Sequence, residues 1–193
     1  MRRKGRMTME ARMTSTLRMV IALLPLLAAA PGAAQVPLLE KGAELARLEV
    51  FAGAWEGRLE RVMAGGAGLV LEPRLRFEWA IGGVWLMGHE ETELADGSLI
   101  HNLTWITWDA HDRVYAGAWH DNVFPGVVTF RGRWLDDRRL ELDSGPIEIR
   151  GRRHRVILTY ALAPADELTV EMRQSWDGAE PRVVATAHYR RRR

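Results

Sequence analysis

The stretch Leu69-Val-Leu-Glu-Pro-Arg-Leu-Arg-Phe-Glu-Trp79 decides the fold class. Leu69, Leu71, Leu75, Phe77 and Trp79 are apolar, and Glu72, Arg74, Arg76 and Glu78 fall between them. Side chains alternate across a strand with period two, so this spacing predicts a strand with one dry face and one wet face. Further strand-like runs follow at Val84–Glu93, Leu99–Trp108, Val114–Asp121, Val127–Trp134, Arg139–Leu142, Arg152–Leu162, Leu168–Trp176 and Arg182–Arg190, and Trp55–Val62 precedes. Turn-forming residues separate them, among them Gly82-Gly83, Asp96-Gly97, Asp136-Asp137 and Asp177-Gly178. About ten short strands with no helical period between them read as all-β, an antiparallel barrel or sandwich. Trp108-Asp109 and Trp176-Asp177 resemble propeller punctuation. Their spacing does not recur, so each reads as a strand end before a turn.

Outward from this region, Lys41 to Phe51 is the one helix candidate, with Leu45, Leu48 and Phe51 at helical spacing and Gly53 as its stop. Further upstream the pattern is that of a secretory signal peptide. Arg2, Arg3, Lys4, Arg6, Arg12 and Arg18 precede a short apolar run, Met19 to Ala30, which ends in small residues. A spanning helix needs about 20 apolar residues, more than this run supplies. Cleavage is expected before Gln35, with Met13 as an alternative start. The expected organisation is a leader over 1–34 and one domain over 35–193, located in the periplasm or secreted.

Composition narrows the possible chemistry. Beyond residue 34 the chain holds 21 basic and 24 acidic residues, so the basic pI belongs largely to the leader and does not indicate a nucleic-acid partner. There are no cysteines, which excludes disulfides, thiolate metal sites and cysteine nucleophiles. Eight tryptophans belong in a core or around a cavity, because each carries a large apolar area and one N–H to satisfy.

Several segments resemble the DUF1579 family of lipocalin-like (calycin-type) barrels of unknown function. They are Leu48-Glu-Val-Phe-Ala-Gly53-Ala-Trp55-Glu-Gly57, Phe77-Glu-Trp79-Ala-Ile-Gly82-Gly83, Tyr115-Ala-Gly117-Ala-Trp119-His-Asp121, Trp176-Asp177-Gly178 and Tyr189-Arg190-Arg191. The likeness runs from about Leu45 to Arg191 and departs at Thr107-Trp108-Asp109, where relatives carry Gly-Tyr-Asp. It implies a single antiparallel lipocalin-like barrel with one short N-terminal helix. It also implies that Gly53 and Trp55 close one end, with Arg190 or its neighbour Arg191 laid on the indole.

Candidate chemistry comes next. No Gly-x-Ser-x-Gly elbow or phosphate-binding loop is present. His89, Glu91 and Glu93 share one face of a strand and resemble a partial divalent-ion site, but a solvated strand end is the preferred reading and no metal is assigned. If Asp109 to Arg113 form a five-residue connection, Trp108 faces Val114, which sets His101 opposite Asp121 and gathers Trp105, Tyr115 and Trp119 on the same face. These five residues are the candidate ligand contacts, and a cross-strand pair on the outer surface is the competing reading. The basic run Arg150 to Arg155 and the terminal arginines read as a solvated face and a frayed tail, since no aromatic residues interleave them.

The function expected is therefore binding of a small apolar or amphipathic molecule inside an exported barrel. Two alternatives stand beside it. One is an enzyme using His101 and Asp121 as an acid–base pair. The other is a haem-binding barrel of the nitrobindin kind ligated by His188. No cofactor is assigned.

Overall fold

A computed structural model describes residues 40–193 other than 64, 125 and 165. The expected leader lies outside the described residues. A helical segment opens the domain: α1 (Ala43–Ala46) runs into a 3₁₀ turn over Arg47–Phe51. Twelve strands follow. They are β1 (Gly53–Val62), β2 (Gly68–Leu71), β3 (Arg74–Ala80), β4 (Trp85–Glu93), β5 (Leu99–Asp109), β6 (Val114–Asp121), β7 (Val128–Trp134), β8 (Arg139–Asp143), β9 (Ile147–Ile149), β10 (Arg152–Ala163), β11 (Glu167–Trp176) and β12 (Arg182–Arg191).

Ten of them close into one antiparallel barrel, in the order β11-β12-β1-β3-β4-β5-β6-β7-β8-β10, with β10 pairing back to β11. Closure leaves the ten wall strands no free edge. The short strands β2 and β9 hang on β1 and β10. The Leu69–Trp79 stretch divides between β2 and β3 at Glu72-Pro73. Proline has no N–H for the ladder, and its carbonyl instead accepts from Gly57 N at 3.0 Å. The interruption spans two residues, so the alternation keeps its phase. Leu71, Leu75 and Phe77 all face the interior.

The helical segment caps one end. Leu48 and Phe51 are fully buried, and Phe51 stacks on Trp134 at 5.6 Å and 7°. Trp55 is 2% exposed and donates its indole N–H to the Phe51 carbonyl at 2.8 Å. Register pairs Trp55 with Arg191, whose guanidinium lies 4.1 Å from the indole centroid. The same guanidinium donates to the carbonyls of Ala52 and Val50, the latter at 2.8 Å. Arg191 is therefore the closing arginine, not Arg190. Strand alternation turns Arg190 outward, beside Glu167 at 3.3 Å. Gly53 is required at this corner. Its φ is +124°, and a Cβ there would stand 2.8 Å from Arg191 Nη1.

Candidate functional site

The other end of the barrel opens onto a cavity of about 620 Å³. That volume lies within the range of small-molecule sites. Apolar side chains make most of its wall, including Leu59, Leu75, Phe77, Leu158, Val170 and Met172. They come from alternate positions of β1, β3, β10 and β11, as the period-two pattern requires.

Polar side chains interrupt this wall, and two sets of them stand out. The first is a connected chain. The Tyr189 hydroxyl donates to Glu90 Oε2, Asn102 Nδ2 donates to Glu90 Oε1 at 2.8 Å, and Trp119 Nε1 donates to Asn102 Oδ1 at 3.2 Å. Burial, with the Glu90 charge adding to it, pushes the Tyr189 phenol well above its ordinary pKa. Tyr189 is thus held as a neutral donor to a carboxylate.

The second is His154 on β10. The residue is 5% exposed, and neither ring nitrogen has a hydrogen-bond partner among the described residues. Its ring stacks on Trp176 at 4.0 Å and 22°. Burial pulls its pKa below the ordinary imidazole value. A neutral imidazole carries one donor and one acceptor, and the Gln174 side chain lies close enough to offset part of the burial effect without forming a well-aligned hydrogen bond to either. An unpaired buried polar group is costly, which makes His154 a natural contact for a polar atom of a ligand.

The middle hairpin departs from the expected register. Asp109 stays in the ladder opposite Val114, and Trp108 faces Tyr115. The cause is local. Asp109 Oδ1 accepts the amide N–H groups of His111 and Asp112 at 2.9 and 3.1 Å, which tightens the turn to four residues. A slip of one residue moves side chains to the opposite face. Asn102, not His101, therefore pairs with Asp121. His101 and Trp105 stand on the outer wall, His101 stacked beside His89 and Trp105 edge-on to Trp85. The pair needed for acid–base work by His101 and Asp121 is not formed.

The three β6 residues all point inward, at different depths. Trp119 and Asp121 line the cavity, and Asp121 Oδ1 also accepts from Val123 N at 2.8 Å, turning the chain at the mouth. Tyr115 lies in the capped end. Its hydroxyl donates to the Glu44 carbonyl at 2.8 Å, tying α1 to the barrel, and burial pushes its pKa up to about 12. His188 is also on the outer wall, with Nδ1 at 3.2 Å from Thr169 Oγ1. The inward positions of β12 are Ala185, Ala187 and Tyr189, so His188 does not reach the cavity.

The family model described as "Protein of unknown function (DUF1579)" matches residues 40–191. The chain belongs to the DUF1579 family. A solved structure, titled "Crystal Structure of Rv2717c from M. tuberculosis", superposes on this DUF1579 barrel with a TM-score of 0.60. The two are 16% identical, and the match covers 79% of this chain and 99% of that one. At that identity the likeness shows a shared fold. No curated protein matches.

His154, Glu90, Asn102 and Tyr189 were not among the residues expected from sequence. His154 was detectable there. Counting back from Tyr160 through Leu158 and Val156 in steps of two reaches it, although the arginines on either side disguise it as part of a basic run. Alternation turns those two, Arg153 and Arg155, to the outer face, where Arg155 is held by Asp143. Arg152 shares the His154 face at the rim, with its guanidinium 4.9 Å from the Trp176 ring and bound to Asp177 at 2.7 Å.

Proposed function

We propose that this DUF1579 protein is an exported lipocalin-like barrel that takes one small apolar or amphipathic molecule into its interior. The observation that carries this reading is the mainly apolar cavity holding a buried imidazole with no well-aligned hydrogen bond at either nitrogen. An apolar body would fill the wall of Leu, Val and Phe side chains. A hydroxyl, carbonyl or carboxyl on it would meet His154, or Asn102 within the Glu90 chain. Trp119 and Asp121 are the proposed ligand contacts nearest the mouth. Export rests on the basic leader and apolar run of residues 1–34.

Trp119 and Trp176 both line the cavity, so indole fluorescence should report its filling. Titrating a panel of fatty acids, fatty alcohols and hydrophobic dyes is expected to give saturable changes with one site per chain. No saturable change with any of them below the onset of aggregation would overturn the reading.

A further inference from the structure

We infer that the outer wall of the barrel carries a binding site for a divalent transition-metal ion, formed by His89 and Glu91 of β4 and His101 of β5. It lies on the opposite face of the wall from the cavity and does not depend on ligand binding there. Alternation sends His89 and Glu91 outward two residues apart, and register sets His101 directly opposite Glu91. The imidazoles of His89 and His101 lie parallel, 14° apart in plane with centroids 5.9 Å apart. One ligand atom from each of the three residues lies within 4.8 Å of the other two.

The spacing suits a tetrahedral ion. Ligand atoms about 2.0–2.1 Å from such an ion stand about 3.3 Å from one another. His101 Nδ1 and Glu91 Oε1 are 3.5 Å apart, longer than a good hydrogen bond and close to that ligand–ligand distance. The third ligand atom, within 4.8 Å of the other two, needs to approach by at most about 1.5 Å, within reach of side-chain rotation on a solvated face. Two imidazole nitrogens and one carboxylate oxygen favour Zn²⁺, Cu²⁺ or Ni²⁺ over Mg²⁺ or Ca²⁺. Solvent exposure leaves the fourth position to water.

The surrounding charges are compatible. On β3, Arg76 lies opposite His89 but turns to Glu78 at 3.2 Å, and Arg74 lies opposite Glu91. Glu93 follows on the same face of β4 and adds a carboxylate to that face. The ladder holds the backbones of all three residues in place, so binding has only their side-chain rotamers to order.

Calorimetric titration of untagged, chelator-treated protein with Zn²⁺ tests the site. One equivalent is expected to bind, with His89→Ala, His101→Ala and Glu91→Gln each weakening affinity by more than about tenfold, since losing even an outer-shell partner costs that much. His111→Ala is the control, because that imidazole is almost fully exposed in the β5–β6 turn. It should bind as the parent does. Circular dichroism of each variant separates loss of the site from loss of the fold. Zn²⁺ affinity that is unchanged in folded His89→Ala and His101→Ala, or no binding by the parent, overturns the proposal.

Discussion

At the scale of single residues, the closed end and the cavity each depend on one side chain. Arg191 combines a cation–π contact with hydrogen bonds to two carbonyls and a pairing to Asp166 at 3.1 Å. Arg191→Ala should cost about 2 kcal/mol or more, and Arg190→Ala should stay within about 0.5 kcal/mol. Gly53→Ala should cost about 1–3 kcal/mol, because both its backbone conformation and the space beside it exclude a Cβ. Urea unfolding of the three variants checks the order, and equal losses for the two arginines would contradict it. His154 governs a pH dependence. Its pKa is lowered by burial, so above the ordinary imidazole value of about 6.5 neither folded nor unfolded chain is charged at this group and it adds no slope. As pH falls below that value the unfolded chain binds the proton first, and stability declines until the lowered folded value is passed. His154→Leu should flatten the urea midpoint against pH on the acid side of 6.5. Parallel curves for variant and parent would show that this imidazole is not the cause.

At the scale of elements, the wall repeats one device. Interior glycines stand opposite aromatic residues across the ladder: Gly57 faces Tyr189, Gly88 faces Phe77, Gly117 faces Phe130 and Gly132 faces Tyr115. At Gly57 and Gly88 the missing side chain makes room for the rings of Tyr189 and Phe77, whereas at Gly132 Leu142 takes that space. A Cβ on Gly88 would stand 2.4 Å from Phe77 Cε1. Gly88→Ala should therefore cost about 1–3 kcal/mol through overpacking. Combined with Phe77→Leu, it should cost less than the sum of the two single changes, since the clash is then removed. A double-mutant cycle by chemical unfolding measures this, and strict additivity would argue against the ring as the obstacle. These glycines are also where strand propensity alone misleads, because a glycine in a strand interior is unfavourable until its cross-strand partner is known.

At the scale of the molecule, the barrel is filled at one end and hollow at the other. The capped end packs Leu48, Phe51, Trp55 and Trp134, while the open end keeps about 620 Å³. Val170 lines that space from β11. Val170→Trp should fill part of it, abolish dye and fatty-acid binding, and leave the melting temperature no lower than the parent's. Retained binding in a folded Val170→Trp protein would place the ligand elsewhere.

Much of this was determined by sequence alone. Alternation of apolar and polar residues announced nine of the ten wall strands to within about two residues, because burying one face of a strand demands period two whatever its neighbours are. It merged β2 with β3 and did not announce the three-residue β9. Turn residues such as Asp177 and Gly178, which take positive φ at +53° and +84°, marked the breaks. The Gly53-Ala-Trp55 corner was legible because its constraints act within a few residues. Tertiary structure alone decided which strand lies beside which, by how many residues they are offset, and so which face is interior. That offset turned on one carboxylate, Asp109, accepting two amides and shortening a turn by one residue. The shift separated His101 from Asp121 and the inward face of β6, and the β4–β5 register sets it beside His89 and Glu91. Within a strand the pattern records only that two faces differ, whereas pairing between strands far apart in the chain sets which groups on those faces can meet.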